Sequence, residues 1–171
     1  MALRLLKLLS VVSHKSLMTA VFLPAFAWGA NLSPVTGNEL LLKIQKEKNK
    51  ITILNIWATW CGPCVEEMPD LLKIQKVYGK QGLNLMLVSA DFPSEVQSVH
   101  KFLDDRKVTF PTYIKQGKDM EFISQLHKDW DGAIPVTFVF GKKGNLLKFF
   151  KGSVTFKQVE NEFKKAKEKE H

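Results

Sequence analysis

The alternation of apolar and polar positions divides the chain, from about residue 31 onward, into strand-like and helix-like stretches. Ile51-Thr52-Ile53-Leu54-Asn55-Ile56-Trp57 and Leu83-Asn84-Leu85-Met86-Leu87-Val88-Ser89 are short runs, apolar on both alternating faces, which predicts two buried central strands. Between them the pattern predicts a helix from about Gly62 to Tyr78. Pro63 suits its first turn, where the missing N–H is not needed. Pro69 should kink it and Gly79 and Gly82 should end it. Upstream, Asn31 to Asn38 reads as a polar leader. Thr36 and Glu39 have capping-box spacing and predict a helix to about Lys48, with Leu40, Leu41, Leu42 and Ile44 on its apolar side. Downstream, Ser94 and Gln97 predict the start of a helix carrying Val96, Val99, Phe102 and Leu103. Phe110 to Ile114 reads as a short extended segment. Residues 115–131 read as an insertion with a short helix around Met120, Phe122, Ile123 and Leu126. Val136 to Phe140 and Leu146 to Phe150 flank a Gly141-to-Asn145 turn and predict a hairpin. Thr155 and Gln158 open a last helix with Phe156, Val159 and Phe163 inward. Early strand–helix–strand units imply parallel pairing and the late hairpin an antiparallel edge. The fold class is α/β, a mixed central β-sheet flanked by helices on both faces.

Composition adds little beyond this, since 45% hydrophobic and 25% charged residues are ordinary for one globular domain of 171 residues. The first 27 residues change the picture more. Arg4, Lys7 and Lys15 come with no acidic residue before Glu39, and an apolar run from Ser16 to Ala27 ends in Ala25-Phe26-Ala27. This is how a secretory signal reads, with Trp28 as the first mature residue. The alternative is an uncleaved anchor, against which stand the shortness of the run and Pro24 within it. The domain then spans 31–171. The chain carries 25 basic and 17 acidic residues, net +8; without Arg4, Lys7 and Lys15 the balance is 22 to 17, net +5. Much of the excess lies in the mixed-sign tail from Lys164 to Glu170, which reads as a solvated helix end. No aromatic residue interleaves with those lysines, so no nucleic-acid partner is expected.

The candidate chemistry lies in two residues. Cys61 and Cys64 are the only cysteines, two residues apart in Trp57-Ala58-Thr59-Trp60-Cys61-Gly62-Pro63-Cys64, after a predicted strand and at the start of a predicted helix. The first sulfur lies where free N–H groups and the helix dipole favour a thiolate. A structural staple explains the pair poorly, because the ring it closes is too short to restrict the unfolded chain much. A metal would want two more ligands, and His100, His127 and His171 show no paired spacing. The pair points to thiol–disulfide exchange, with no cofactor beyond the dithiol and no stable metal.

The stretch Leu54 to Pro69 resembles the thioredoxin superfamily, and within it the exported TlpA/ResA-like thiol–disulfide oxidoreductases. Phe110-Pro111 and Ile134-Pro135-Val136-Thr137-Phe138 resemble the later landmarks of that group, in order, over about Thr36 to Lys165. The resemblance implies a thioredoxin-like fold with Cys61 as the exposed nucleophile and Cys64 as the resolving thiol. It implies that Pro135 is a cis-proline facing the dithiol and that the Ile134 backbone offers strand-like bonds to a substrate peptide. Trp60 would flank Cys61 as a partly exposed lid, Trp57 would be core, and Gly62-Pro63 matches the reducing member thioredoxin, near −270 mV. Trp130 has no assignable role, and His100 and His127 read as surface residues. Asn55 stands where thioredoxin has a buried aspartate that takes the second cysteine's proton. An amide cannot take it, so the base for Cys64 is open. Glu66 and Glu67 are near in sequence but read as solvated charges of a first helical turn. Asn55 and Glu67 remain the candidate proton-transfer environment. The implied partners are protein thiol or disulfide clients, an apocytochrome c among them, and a membrane thiol donor of electrons. The implied location is outside the cytoplasm, in a bacterial periplasm or on a membrane facing it. A disulfide oxidant or isomerase, and a metal-handling module using the same thiols, stay open as alternatives.

Overall fold

In the computed structural model, residues 31–169 are described. The export segment read at residues 1–27 lies outside the described residues. The elements follow in the order β1 (Leu32–Val35), α1 (Gly37–Lys46), β2 (Ile51–Trp57), α2 (Gly62–Tyr78), β3 (Leu83–Ser89), α3 (Val96–Asp105), β4 (Thr112–Lys115), α4 (Asp119–Leu126), β5 (Val136–Phe140), β6 (Leu146–Lys151) and α5 (Phe156–Lys169). One sheet holds all six strands in the order β1-β4-β3-β2-β5-β6. The β1, β4, β3 and β2 strands run parallel, and β5 and β6 are antiparallel to their neighbours.

The period-2 alternation of β2 divides the core. Ile51, Ile53 and Trp57 point to the face covered by α2, α3 and α5, where Met68, Leu71, Val99, Leu103, Val159 and Phe163 pack. Leu54 and Ile56 point to the other face, against Leu40 and Ile44 of α1 and Phe122 and Leu126 of α4. Every residue of β2 and of β5 is buried, as their largely apolar sequences require in the middle of a two-faced sheet, with Thr52, Asn55 and Thr137 the polar members. The insertion helix α4 is docked on the start of α1. A side chain at Gly37 would come within 2.8 Å of Gln125 Cβ, and Gln125 Oε1 accepts from the Asn38 N–H at 3.1 Å.

Three expectations are corrected. The leader is not irregular: Leu32 to Val35 form an edge strand on β4, in register from Leu32 opposite Thr112. Four residues including Pro34 carry no strand pattern of their own, and proline is tolerated there because an edge strand has N–H groups with no neighbour to bond. Ser94 and Gln97 do not cap α3. Pro93 to Glu95 already form a 3₁₀ turn, and α3 starts at Val96 without a side-chain cap. The first helix ends at Lys46, just short of Lys48. The capping boxes at Thr36–Glu39 and Thr155–Gln158 both form. Helix α2 continues through Pro69 to Tyr78, and Gly82, at φ 97°, turns the chain into β3.

Candidate active site

The chain leaves β2 at its carboxyl end, where parallel sheets place ligands outside the strand ends. A tight turn follows, with the Cys61 N–H bonded to the Ala58 carbonyl at 3.2 Å. Cys61 is then the N-cap of α2, and its Sγ accepts from the Cys64 N–H at 3.3 Å. Cys61 and Cys64 are joined in a disulfide, with Cα atoms 5.2 Å apart. Both are buried, Cys61 at 6% exposure and Cys64 at 0%, which corrects the expectation of an exposed Cys61 for this oxidised form: the disulfide ties it back onto the first turn of α2. Trp60 stands beside it at 62% exposure, more open than a partly exposed lid. A side chain at Gly62 would meet nothing within 4 Å, and Pro63 is exposed, so the surface over the dithiol is low and open. The Ile134–Pro135 peptide is cis, at the entry to β5, the strand paired with β2. Trp57 is core, its ring 4.6 Å from that of Phe102.

Behind the cysteines lies a polar group of side chains in an otherwise apolar face. Asn55 and Thr137 are directly opposite each other in β2 and β5, both turned toward α2. Glu67 is one turn beyond Cys64 on the buried side of α2, itself only 4% exposed. This corrects the reading of Glu67 as a solvated charge; Glu66 is the exposed one. The helical period explains it, since position 67 follows 64 by three residues and shares its face. The Asn55 amide donates to Glu67 Oε1 at 2.8 Å and to Thr137 Oγ1 at 3.0 Å. The Val154 N–H donates to Glu67 Oε2 at 2.7 Å. Burial pushes the Glu67 carboxyl above the usual carboxylate range, against the opposing pull of the bonds from Val154 and Asn55. Asn55 Oδ1 is buried without a hydrogen-bond partner, so the amide holds one unused acceptor next to the carboxylate. Among Asn55, Thr137 and Glu67, only Glu67 carries an ionisable acid.

Asp91 supports the turn before Cys61, and the sequence reading passed over it. It is buried just past β3 and accepts from the Thr59 N–H at 3.0 Å, from the Thr59 hydroxyl and from the Ser89 hydroxyl at 2.7 Å. It thereby holds the turn that carries Trp60 and Cys61. Its signal in sequence is faint: a carboxylate two residues beyond a strand end that a parallel sheet brings beside the end of β2. Trp130 is buried rather than idle, its Nε1–H donating to the Ala133 carbonyl at 2.8 Å. His127 is half-buried and stacks on Phe149 at 4.8 Å, so it is not a free surface residue. Among the described residues no cluster of three or more His, Cys, Asp or Glu side chains is placed to hold a metal. A cleft of about 470 Å³ beside Lys43, Asn84 and Tyr113 contains neither cysteine.

Comparison with known proteins agrees with this geometry. Residues 26–149 match the model of the AhpC/TSA family. The thiol–disulfide oxidoreductase ResA of Geobacillus thermodenitrificans is 30% identical over 149 residues, 87% of this chain and 80% of that protein. The thioredoxin-like protein YneN of Bacillus subtilis is 34% identical over 121 residues, 68% of this chain and 65% of that one. Among solved structures, a thioredoxin-family thiol:disulfide interchange protein from Chlorobium tepidum aligns with a TM-score of 0.61 at 25% identity, covering 71% of this chain and 82% of its own. StoA from Bacillus subtilis aligns with a TM-score of 0.54 at 28% identity, covering 67% and 82%.

Proposed function

This chain belongs to the AhpC/TSA family and is a thioredoxin-fold thiol–disulfide oxidoreductase, and we propose that it works outside the cytoplasm as a reductase of protein disulfides. The observation that carries the reading is the placement of the disulfide: Cys61 caps the N-terminus of α2, and Cys64 lies fully buried behind it. In the reduced protein, the free N–H groups of the first helical turn stabilise the Cys61 thiolate. That thiolate attacks one sulfur of a client disulfide. A Cys61–client bond forms, the client S–S bond breaks, and the first client thiolate leaves. Cys64 then loses its proton to ionised Glu67 and attacks the Cys61 sulfur. The client's second thiolate leaves, the client gains two electrons, and the Cys61–Cys64 disulfide is restored. Asn55 suits this role by accommodation. Its amide donates to Glu67 Oε1, which suits the ionised carboxyl, and turned over it offers Oδ1 to the protonated one.

The direction is supported by the Gly62-Pro63 pair, which a reducing thioredoxin also carries. Export is supported by the basic start, the apolar run and Ala25-Phe26-Ala27. A reductase placed there draws electrons from a thiol donor in the membrane. The TlpA/ResA-like resemblance supports an apocytochrome c as one client. Exchange with a disulfide-bonded protein substrate tests the roles. Cys61→Ala should abolish it, and Cys64→Ala should accumulate a mixed disulfide through Cys61. Alkylation of the reduced protein that labelled Cys64 before Cys61 would reverse the assignment.

A further inference from the structure

The turns of the fold collect at the two ends of the sheet, and the two ends differ in charge. At the dithiol end, residues 36, 58–61, 90–95, 116–118, 127–135 and 152–155 hold two lysines and four carboxylates. At the opposite end, residues 47–50, 79–82, 106–111 and 141–145 hold seven Lys or Arg and one carboxylate. That one is Glu47, paired with Lys50 at 2.7 Å. Helix ends do not cancel the excess. Asp104 and Asp105 close α3, but Lys43 and Lys46 lie in the last turn of α1 and Lys76 in that of α2. The C-terminal carbonyls of these three helices add a partial charge of about −0.5 each, well short of the excess. We propose that this basic end docks on the surface of a bilayer of anionic phospholipid, and that the dithiol then faces away from the lipid.

Charge argues for it first. Lys48, Lys80, Lys107 and Lys143 are exposed and come from four separate turns, so the fold gathers them from across the chain onto one end. A cluster of this size draws a protein to anionic headgroups. Apolar contact argues next. Val77, at the end of α2, is 43% exposed, and Leu146 and Leu147, at the start of β6, are 37% and 40% exposed. Large apolar side chains set among lysines suit the boundary between headgroups and acyl chains, whereas a hydrated polyanion leaves them in water. A cleft of about 470 Å³ at the same end, with Lys43, Lys46, Lys50 and Asn84 in its lining, has room for a headgroup phosphate. The chain itself enters here. Strand β1 begins beside the start of β4, where the Thr112 N–H bonds to the Asn31 carbonyl at 2.9 Å. Only residues 28–31 separate β1 from the apolar run ending at Ala27, a reach of at most about 18 Å. A chain held at a bilayer by that run therefore brings this end to the lipid. Helix α2, 17 residues and about 25 Å long, runs from the dithiol to the basic end. The dithiol thus stands well beyond the screening length of about 8 Å from the docked surface.

The test uses the full-length oxidised protein with vesicles of phosphatidylcholine alone or mixed with phosphatidylglycerol. The apolar run before Ala27 contributes to both alike, so the quantity read is the ratio of binding between the two. That ratio should favour the anionic vesicles and fall toward one at high salt. A lysine close to such a surface is worth about fivefold in partitioning, so Lys80→Glu combined with Lys143→Glu should lower the ratio about twentyfold or more. Lys118→Glu combined with Lys128→Glu, at the dithiol end, should leave it unchanged. Lysine acetylation read by mass spectrometry reports the orientation. On anionic vesicles Lys80 and Lys143 should be protected, and Lys118 and Lys128 should stay reactive. Equal binding to both vesicle types, a ratio that the two double variants lower alike, or protection at the dithiol end would overturn the proposal. Polyglutamate serves as a soluble polyanion. If it protected Lys80 and Lys143 and vesicles did not, this end would belong to an acidic protein partner and the bilayer would be ruled out.

Discussion

Glu67 and Cys64 share the buried side of α2, one turn apart, with Asn55 and Val154 holding the carboxylate from either side. The kinetics of client release should report that carboxylate. Because burial raises its pKa, it becomes an acceptor only above the usual carboxylate range. The rate at which the mixed disulfide resolves should therefore climb through the acidic range and level off toward neutrality. In Glu67→Gln the climb should move up toward a thiol's own pKa, about 8.5. Single-turnover rates between pH 5 and 9 check this, and identical profiles for the two proteins would remove Glu67 from the proton path. Stability gives an independent sign. A carboxyl whose folded pKa is raised contributes its full share below about pH 4.3 and loses it as pH rises through the folded value. The stability of Glu67→Gln relative to the wild type should therefore improve from pH 4 to pH 7, as measured by urea unfolding of the oxidised protein.

At the scale of elements, α2 joins the site to the rest of the fold. Glu67 and Asp70, three residues apart, both accept from the segment leading into α5: the Val154 N–H at 2.7 Å and the Phe156 N–H at 2.8 Å. Asp70 thus caps the start of α5 from another helix, in addition to the Thr155–Gln158 box. Asp70→Ala should cost about 1 kcal/mol, the typical worth of a helix cap. It should also speed amide exchange in the first turn of α5 more than in β2. Equal protection in α5 before and after would contradict a capping role. Elements of this kind were legible in the sequence wherever a pattern is local: the largely apolar stretches of β2 and β3, the hairpin turn at Gly141 to Asn145, and the two capping boxes. The dithiol was legible for the same reason, since Cys61, Gly62, Pro63 and Cys64 are contiguous. What stayed illegible depends on pairing at a distance. Strand β1 exists because β4 is there to receive it. The buried side of Glu67 follows from its helical spacing from Cys64, but its partners Asn55 and Val154 come from other parts of the chain, and no pattern around residue 67 announces them. Asp91 and Thr59 meet only because the parallel sheet sets the ends of β3 and β2 side by side.

For the whole molecule, the proposal of work outside the cytoplasm rests on residues 1–27. Among the described residues no helix is long and apolar enough to cross a membrane. Mass spectrometry of the natively produced protein should find a mature chain beginning near Trp28. Intact residues 1–27 in a soluble cytoplasmic fraction would contradict export, and the same residues in a membrane fraction would assign them as an anchor. The central claim is that this oxidoreductase gives electrons to its clients rather than taking them. Equilibration of the Cys61–Cys64 couple against glutathione or a dithiol of known potential tests that claim most directly. The Gly62-Pro63 pair places the expected value on the order of −250 mV, near the reducing thioredoxins. A value near −120 mV, that of a strong disulfide donor, would contradict it and make the protein an oxidant.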